Sequence, residues 1–465
     1  MIGINAETTA GRVNPVMLRG RWLIAAVLMV LLSSSTLARD LPQARPDRLG
    51  FDAERLERIS TFMNARVADG TMVGGMGMIA RKGKVIYSDT WGMRDREAGL
   101  PMTEDTIFRI YSMSKPITAV ALMMLYEEGK FFLSDPVARY IPELAELQVA
   151  VSTADGGTRA ASDGTQSRTI GTGDQTKVGM TRAPLRQPTI RDLLRHTAGM
   201  TYGVFGNTEV DQKYRELGLL VDHPNLHDFV SKLGQAPLQY EPGTRWHYSV
   251  SVDVQGVLVE ALSGMRFSQF LQQRIFQPLG MVDTSFVVPE QKAERLAQLY
   301  SPKGTPEGTA AWLTRNTATE LVVAQEMANR NFRPGATFES GGGGLVSTTD
   351  DYMRFSQMLL NGGELDGVRL LSPKTIELMT SDQLGDITFG RPGVGFGLGF
   401  AVTLDQAEVG EVGSTGEYNW GGAAGTRFWI DPEEELIGVF MVQSIPHRTR
   451  LGSEFKILTY QALVE

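Results

Sequence analysis

The most informative stretch of the sequence reads Tyr111-Ser112-Met113-Ser114-Lys115-Pro116. Apolar residues follow it at helical spacing, so it predicts a helix over residues 112–128 with Pro116 in the first turn, where a missing N–H costs little. Ser112 and Lys115 are three residues apart, which places both side chains on one face of that helix. A serine hydroxyl becomes nucleophilic when a neighbouring base, such as a lysine of lowered pKa, accepts its proton. The alternative is a serine that only caps the helix.

A second candidate is Tyr248, which follows the turn Pro242-Gly243 and an aromatic-rich segment. A tyrosine held between two cations can lose its proton near neutral pH and act as a general base. The alternative is a core tyrosine whose hydroxyl is simply hydrogen-bonded. Among the histidines, His196 is predicted to make a structural hydrogen bond, and His247 either tunes the site or is a bystander.

A third element is the run Asn419-Trp420-Gly421-Gly422-Ala423-Ala424-Gly425. Glycines before a strand allow the backbone to approach a ligand closely. A backbone N–H in this run, together with the N–H of Ser112, would form an oxyanion hole beside the predicted nucleophile. An ordinary glycine-rich strand start is the alternative.

The apolar pattern predicts strands near both ends of the chain and helices between them. The predicted strands cover residues 72–80, 85–91, 396–404, 425–430 and 436–443. The predicted helices cover residues 51–67, 112–128, 189–196, 248–262, 267–276, 348–360 and 453–463. The fold class is therefore predicted to be α+β, with an antiparallel sheet built from both chain ends, flanked by helices, and an inserted, mainly helical lobe.

This pattern also predicts the domain organisation. Residues 39–145 and 335–465 are assigned to the sheet domain, and residues 146–334 to the helical lobe. Within the lobe, residues 149–182 are rich in Gly, Thr, Ser and Asp and poor in large apolar side chains. That composition predicts a polar surface insertion.

Residues 1–38 are predicted to be a signal peptide. Arg19 and Arg21 precede a short apolar run at residues 22–32, and Thr36 and Ala38 supply small residues for a cleavage site. The run is short for a membrane span, and an uncleaved anchor is the alternative. We therefore expect an exported protein, periplasmic or secreted, with no stable membrane insertion after cleavage.

The composition restricts the class of function. The net charge is −8 and no segment concentrates Lys and Arg, so no nucleic-acid partner is predicted. Cysteine is absent, which excludes disulfides, thiolate ligands and a cysteine nucleophile. The 5 histidines lack His-Glu-x-x-His spacing, and there is no phosphate loop or dinucleotide motif. The sequence therefore predicts no metal and no cofactor.

Taken in order, Ser112-x-x-Lys115, Tyr248 and Trp420-Gly421-Gly422 resemble the family VIII carboxylesterases, which are relatives of class C β-lactamases and D-Ala-D-Ala carboxypeptidases. The resemblance covers about residues 50–445, apart from the insertion, and includes the stretches at residues 133–142, 189–199, 241–243 and 342–351. It implies an α/β sandwich with a helical lobe, and an active site between the two.

The resemblance implies a role for each matching residue. Ser112 would be the nucleophile that receives the acyl group, Lys115 would relay protons beside it, and Tyr248 would activate Ser112 and later the deacylating water. The backbone N–H groups of Ser112 and Ala423 would bind the oxyanion. The implied oxyanion and substrate-binding residues downstream are Trp420, Gly421, Gly422 and Ala423.

Two departures from the β-lactamase pattern favour ester substrates. Such β-lactamases carry Tyr-x-Asn, where this chain has Val250 in the third position, and Lys-Thr-Gly, where this chain has Trp420-Gly421-Gly422. The missing lysine would attract a substrate carboxylate, whereas Trp420 offers an apolar wall. We therefore predict a serine hydrolase that cleaves small-molecule, short-chain carboxylic esters through an acyl-enzyme, with weak β-lactam hydrolysis as a side activity.

Two alternatives stay open at this point. One is a β-lactamase, or a D-amino-acid peptidase or amidase, on the same scaffold. The other is a non-catalytic relative that binds cell-wall peptides or a partner, although such a protein need not retain Ser112, Lys115 and Tyr248 together. The sequence leaves the oligomeric state open.

Overall fold

The structure is a computed structural model, and it describes residues 2–3, 40–152, 176–221, 223–306, 310–313, 318–324 and 332–465. Apart from residues 2–3, the predicted signal peptide lies outside the described residues, as does the middle of the predicted insertion at 153–175. Within the described ranges, no helix is both long enough and apolar enough to cross a membrane.

Strands and α-helices are numbered along the chain in two separate series. The strands are β1 (Gly74–Arg81), β2 (Lys84–Asp95), β3 (Leu100–Pro101), β4 (Phe108–Arg109), β5 (Val149–Ser152), β6 (Thr176–Arg182), β7 (Tyr300–Pro302), β8 (Leu321–Val323), β9 (Val346–Ser347), β10 (Glu364–Leu365), β11 (Val368–Arg369), β12 (Val394–Phe396), β13 (Ala401–Thr403), β14 (Tyr418–Gly421), β15 (Arg427–Asp431) and β16 (Leu436–Val442). The helices are α1 (Ala53–Ala68), α2 (Ser114–Glu127), α3 (Ile190–Leu194), α4 (Glu209–Glu216), α5 (Leu226–Leu233), α6 (Ser251–Ser263), α7 (Phe267–Leu271), α8 (Gln277–Leu279), α9 (Ala310–Leu313), α10 (Thr349–Leu360), α11 (Pro373–Thr380), α12 (Gln406–Val409) and α13 (Leu451–Tyr460).

The largest sheet is antiparallel and has eight strands in the order β12-β13-β14-β15-β16-β1-β2-β3. The N-terminal and C-terminal parts of the chain meet inside this sheet, because β1 pairs with β16, with Gly75 opposite Val442 and Arg81 opposite Leu436. The prediction of an α+β fold with one antiparallel sheet from both chain ends is confirmed.

Side chains alternate between the two faces of this sheet, as the pleat of a strand requires. In β16, Ile437 and Val439 join the larger hydrophobic core, whereas Leu436 and Phe440 join a smaller core on the opposite face. Helices α1 and α13 contribute to the smaller core, and α2, α6 and α10 contribute to the larger one. Helices therefore flank the sheet on both faces.

Helix α2 is enclosed by the larger core, since every residue from Ser114 to Leu125 is buried. Two hydrogen bonds fix its start: the Tyr352 hydroxyl donates to the Met113 carbonyl at 2.9 Å, and the Leu345 N–H donates to Ser114 Oγ at 3.1 Å. The residues just before α2 are consequently attached to a rigid part of the molecule.

Several predicted boundaries are wrong. The predicted strand 396–404 is two strands, because the chain reverses at Gly397–Gly399 and β12 pairs with β13. The helix predicted from residue 248 begins at Ser251, since Val250 is its N-cap and accepts a hydrogen bond from the Val254 N–H at 3.3 Å. The helix predicted from residue 112 begins with a 3₁₀ turn, Tyr111–Met113, and becomes α-helical at Ser114.

The two ends of the predicted insertion form a pair of antiparallel strands, β5 and β6. Val149 and Ala150 are buried, and the Ala150 N–H donates to the Leu238 carbonyl at 2.9 Å. Polar composition did not indicate this attachment. Helices α3 to α8 lie between residues 190 and 279, inside the predicted lobe, and the lobe boundaries themselves stay a prediction.

Candidate active site

Ser112 and Lys115 meet at the start of α2. Ser112 lies in the 3₁₀ turn and is partly exposed, while Lys115 lies in the first turn of the α-helix and is 2 % exposed. The Lys115 Nζ donates to Ser112 Oγ at 3.1 Å and to the Gly342 carbonyl at 2.6 Å. The three-residue spacing therefore brings the hydroxyl and the amine into direct contact.

Tyr248 reaches the same hydroxyl from the loop before α6. Its phenol donates to Ser112 Oγ at 2.7 Å. The Lys115 Nζ also lies over the Tyr248 ring, 4.6 Å from the centroid. Lys115 and Tyr248 thus both contact the Ser112 hydroxyl oxygen, although 136 positions separate Ser112 from Tyr248.

Burial changes the acid–base behaviour of Lys115. It lowers the pKa of Lys115 to about 7, because the ammonium form loses its water, while the charge of Asp253 acts in the opposite direction. Both the neutral and the charged forms are then available near neutral pH. Such a group can accept the proton of a nucleophile and later return it to the leaving group.

Asp253, on α6, is a buried carboxylate that sequence reasoning missed. Its Oδ1 accepts from the Gly342 N–H at 3.0 Å and from the Ser340 hydroxyl. Its Oδ2 has no hydrogen-bond partner among the described residues. Because Lys115 donates to the carbonyl of the same glycine, Gly342 lies between the lysine and the carboxylate. No local motif surrounds Asp253, so only the fold reveals it.

His196, and not His247, packs against Tyr248. The His196 ring is buried, 4.9 Å from the Tyr248 centroid, and its Nδ1 lies 3.4 Å from Ser249 Oγ. Burial and the charge of Lys115 hold the pKa of His196 well below its usual value, so this ring is neutral. The structural hydrogen bond predicted for His196 is the long one to the Ser249 hydroxyl. The His247 ring packs instead on Tyr240, at 5.0 Å.

The glycine run forms the end of β14 and the turn after it. Trp420 and Gly421 belong to β14 itself, and the strand predicted at residues 425–430 is β15, which starts at Arg427. The turn closes through hydrogen bonds from Gly422 N–H to Thr426 O, at 2.7 Å, and from Gly425 N–H to Gly422 O, at 3.0 Å.

Gly422 packs this turn directly against the backbone that leads to Ser112. A Cβ at residue 422 would lie 2.4 Å from the Ile110 carbonyl oxygen and 2.2 Å from Thr426 Oγ1, so no other residue fits without a shift. Ala423, the next residue, is partly exposed. The oxyanion-donor role that the family resemblance implies for its N–H stays a prediction.

Aromatic rings surround Tyr248. The Trp246 ring stacks on it at 6.0 Å with an interplanar angle of 15°, and the Trp420 ring lies 5.6 Å away. Tyr202 and Phe205 flank it at 5.1 and 5.8 Å. Sequence reasoning missed Tyr202, Phe205 and Trp246, and only Trp246 carried a local signal, its place two residues before Tyr248.

The two departures from the β-lactamase pattern are visible in the structure. Val250 is fully buried in the larger core, and its side chain has no amide group to offer a substrate. Trp420 is half-buried between the rings of Tyr248 and Phe396. In the parts of the chain that the structure describes, no cluster of three or more acidic or histidine side chains suits a metal ion.

The fold and this site define the class of protein. A family model described as Beta-lactamase matches residues 59–456, and the chain belongs to this family. The resemblance that the motifs indicated is thereby confirmed.

Particular relatives narrow the comparison. The chain is 34% identical over 388 residues to Protein Rv1367c of Mycobacterium tuberculosis, covering 81% of this chain and 87% of that protein. It is 32% identical over 401 residues to Esterase EstB of Burkholderia gladioli, covering 83% and 90%. The solved structure of EstCE1, described as a hydrolase with promiscuous acyltransferase activity, is similar with a TM-score of 0.70 and 26% identity, covering 88% of this chain and 99% of that one.

Proposed function

We propose that this protein is a serine ester hydrolase that works through an acyl-enzyme formed on Ser112. The observation that carries the proposal is the convergence of Lys115 Nζ, at 3.1 Å, and the Tyr248 phenol, at 2.7 Å, on Ser112 Oγ. The similarity to Esterase EstB and to the hydrolase EstCE1 supports the same activity.

The geometry suits a two-step transfer. The Tyr248 phenol passes its own proton to neutral Lys115, and the resulting phenolate accepts the proton of Ser112 Oγ as this oxygen attacks the ester carbonyl. The N–H groups of Ser112 and Ala423 stabilise the oxyanion, and the relayed proton passes to the departing alcohol. Water, deprotonated by the same pair, then attacks the acyl-enzyme, and Ser112 regains its proton as the carboxylic acid leaves.

The substrate class follows from the side chains around Ser112. Trp420 places a ring where β-lactamases of this type carry a lysine, and buried Val250 supplies no amide. A substrate carboxylate gains no partner from either residue, whereas an uncharged ester gains apolar contact. We therefore propose uncharged, small-molecule esters with a short acyl chain as substrates, with weak β-lactam hydrolysis because the acylation chemistry is shared.

One side-by-side assay tests this proposal. Rates are measured on p-nitrophenyl esters of increasing acyl length and on a chromogenic cephalosporin. Fast turnover of short esters with slow cephalosporin hydrolysis is expected. The reverse preference would instead favour a β-lactamase or a cell-wall peptidase on the same scaffold.

A covalent probe separates catalysis from a binding-only role. A fluorophosphonate should label the wild-type protein on Ser112, and labelling should disappear in Ser112→Ala. Tyr248→Phe tests the base: its acylation rate should fall roughly 10²–10⁴-fold, the contribution of a general base. Unlabelled wild-type protein would favour the non-catalytic relative.

We further propose that the protein is exported, to the periplasm or the medium, after removal of residues 1–38. The charged residues Arg19 and Arg21, the apolar run at 22–32 and the small residues before residue 39 support this proposal. Cell fractionation with N-terminal sequencing of the mature chain is the test. A cytoplasmic protein that retains its N-terminus would contradict it.

A further inference from the structure

A row of apolar side chains, four of them aromatic, continues from Tyr248. We call it the aromatic shelf and define it as Trp246, Ile387, Phe389, Phe396 and Trp420. All five belong to one hydrophobic cluster, in which Phe396 is buried and the other four are only partly buried.

The shelf is continuous with the catalytic residues. Trp246 stacks on Tyr248, whose hydroxyl is 2.7 Å from Ser112 Oγ. Phe389 follows, with its ring 4.6 Å from Trp246 in an edge-to-face arrangement. Phe396 supports it from below the surface, stacked on Phe389 at 5.8 Å and edge-on to Trp420 at 5.4 Å. The rings are thus fixed by one another in a continuous apolar wall.

Phe389 belongs to this wall and lies on the loop between α11 and β12. It contributes to no strand or helix, and its ring stays partly exposed. Partly exposed aromatic side chains beside a nucleophile are typical of a surface that a ligand covers. Fixed edges and faces favour a further aromatic ring over a linear alkyl chain, because ring quadrupoles pair in these geometries.

We propose that the aromatic shelf binds an aryl group of the ester substrate and that Phe389 determines this preference. The inference rests on the proposed esterase activity and adds the substrate class. The aryl group belongs either to the alcohol or to the acid of the ester, since both halves lie next to Ser112 during acylation. A short acyl chain is compatible with the shelf when the alcohol is the aryl half.

The test compares kcat/KM of wild type and Phe389→Ala on two matched substrate pairs. Naphthyl acetate and ethyl acetate differ in the alcohol, and methyl phenylpropanoate and methyl butanoate differ in the acid. Using the ratio of wild type to variant for each ester removes differences in intrinsic reactivity. Phe132→Ala is the matched control, because Phe132 is 70% exposed and follows the far end of α2, a helix about 20 Å long at 1.5 Å per residue that begins next to Ser112.

The expected result is a loss of about tenfold in kcat/KM for one aryl ester, with the alkyl esters almost unchanged. The pair that shows the loss identifies the half of the ester on the shelf. Phe389→Leu should restore only part of the loss, because it returns apolar area without a ring. Phe132→Ala should change none of the four ratios.

Three outcomes would overturn the inference. If wild type hydrolyses the esters but Phe389→Ala affects aryl and alkyl esters equally, or neither, the shelf does not select aryl groups and the esterase proposal stands. If Phe389→Leu restores the full rate, the shelf is apolar but not specific for aromatic rings. If wild type hydrolyses none of the four esters, the proposed function itself fails, and this inference fails with it.

Discussion

Two lysines in this protein are equally buried and have different partners. Lys115 is 2 % exposed and donates to a hydroxyl and a carbonyl, whereas Lys456, on α13, is 4 % exposed and donates to Glu417 Oε1 at 2.7 Å. Burial lowers the pKa of both lysines, because the ammonium form loses its water.

The difference lies in where the carboxylate is held. Glu417 touches Lys456 directly, and this contact favours the charged form of each partner against their burial. Asp253 is held away from Lys115, with Gly342 between them, so its charge only partly offsets the burial of the amine. The same residue type thus forms an ion pair in one place and, in the mechanism we propose, a proton relay in the other.

The largest effect is expected when the Ser112 hydroxyl, which Lys115 contacts, is removed. Ser112→Ala should lower ester turnover by roughly 10⁴–10⁶-fold, the scale seen when a nucleophile is deleted. The measurement is kcat/KM on p-nitrophenyl butyrate together with intact mass after fluorophosphonate treatment. Retained turnover would place the nucleophile elsewhere and would leave Lys115 without a catalytic role.

The next largest effect is expected from substitutions that compare the two buried lysines directly. Lys115→Met should lower kcat by roughly 10²–10⁴-fold, because the relay is lost. Lys456→Met should leave kcat nearly unchanged but destabilise the fold by about 3–5 kcal/mol, since Glu417 is then buried without its partner. Urea unfolding and steady-state kinetics on both variants are the measurements. A large kcat loss in Lys456→Met, with stability intact, would contradict the comparison.

A smaller effect concerns pH. If neutral Lys115 accepts the proton, kcat/KM should fall as pH drops below about 7, the pKa to which burial lowers Lys115. The Asp253 carboxylate raises the pKa of Lys115, so Asp253→Asn should move this acidic limb to lower pH, with a change of about tenfold or less in kcat. Glu417→Gln is the control and should leave the limb in place. A limb that stays fixed, or moves to higher pH, in Asp253→Asn would refute the role of Asp253.

The fold was largely predictable because runs of apolar residues in the sequence mark its main strands. The run predicted at residues 436–443 is β16, ending one residue earlier, and the same apolar continuity identified β1 and β2. Gly397 shows the limit: a Cβ there would lie 2.0 Å from the Met379 carbonyl oxygen. That close approach between backbones breaks the predicted strand 396–404, and periodicity carries no signal of it.

The site was predictable where spacing alone places side chains, as for Ser112 and Lys115. Tyr248 needed the family resemblance, because nothing local links residue 248 to residue 112. Asp253 was missed, and so was the packing of His196 on Tyr248, since both depend on how α6, the loop after α3 and the Gly342 backbone come together. Residues brought together only by tertiary structure leave little trace in a single sequence.

The smallest effect is expected from a third lysine, introduced beside Tyr248 at a position that is not fully buried. Trp420 is partly exposed, so a lysine introduced by Trp420→Lys should stay charged, whereas burial lowers the pKa of Lys115 to about 7. The charged lysine should attract a substrate carboxylate. The ratio of kcat/KM for an anionic cephalosporin to that for p-nitrophenyl butyrate should rise about fivefold, since a partly exposed ion pair contributes about 1 kcal/mol. Trp420→Met is the control, because it removes the ring without adding charge. Equal ratios in the two variants would show that loss of the ring, and not the charge of a lysine, sets the preference between esters and β-lactams.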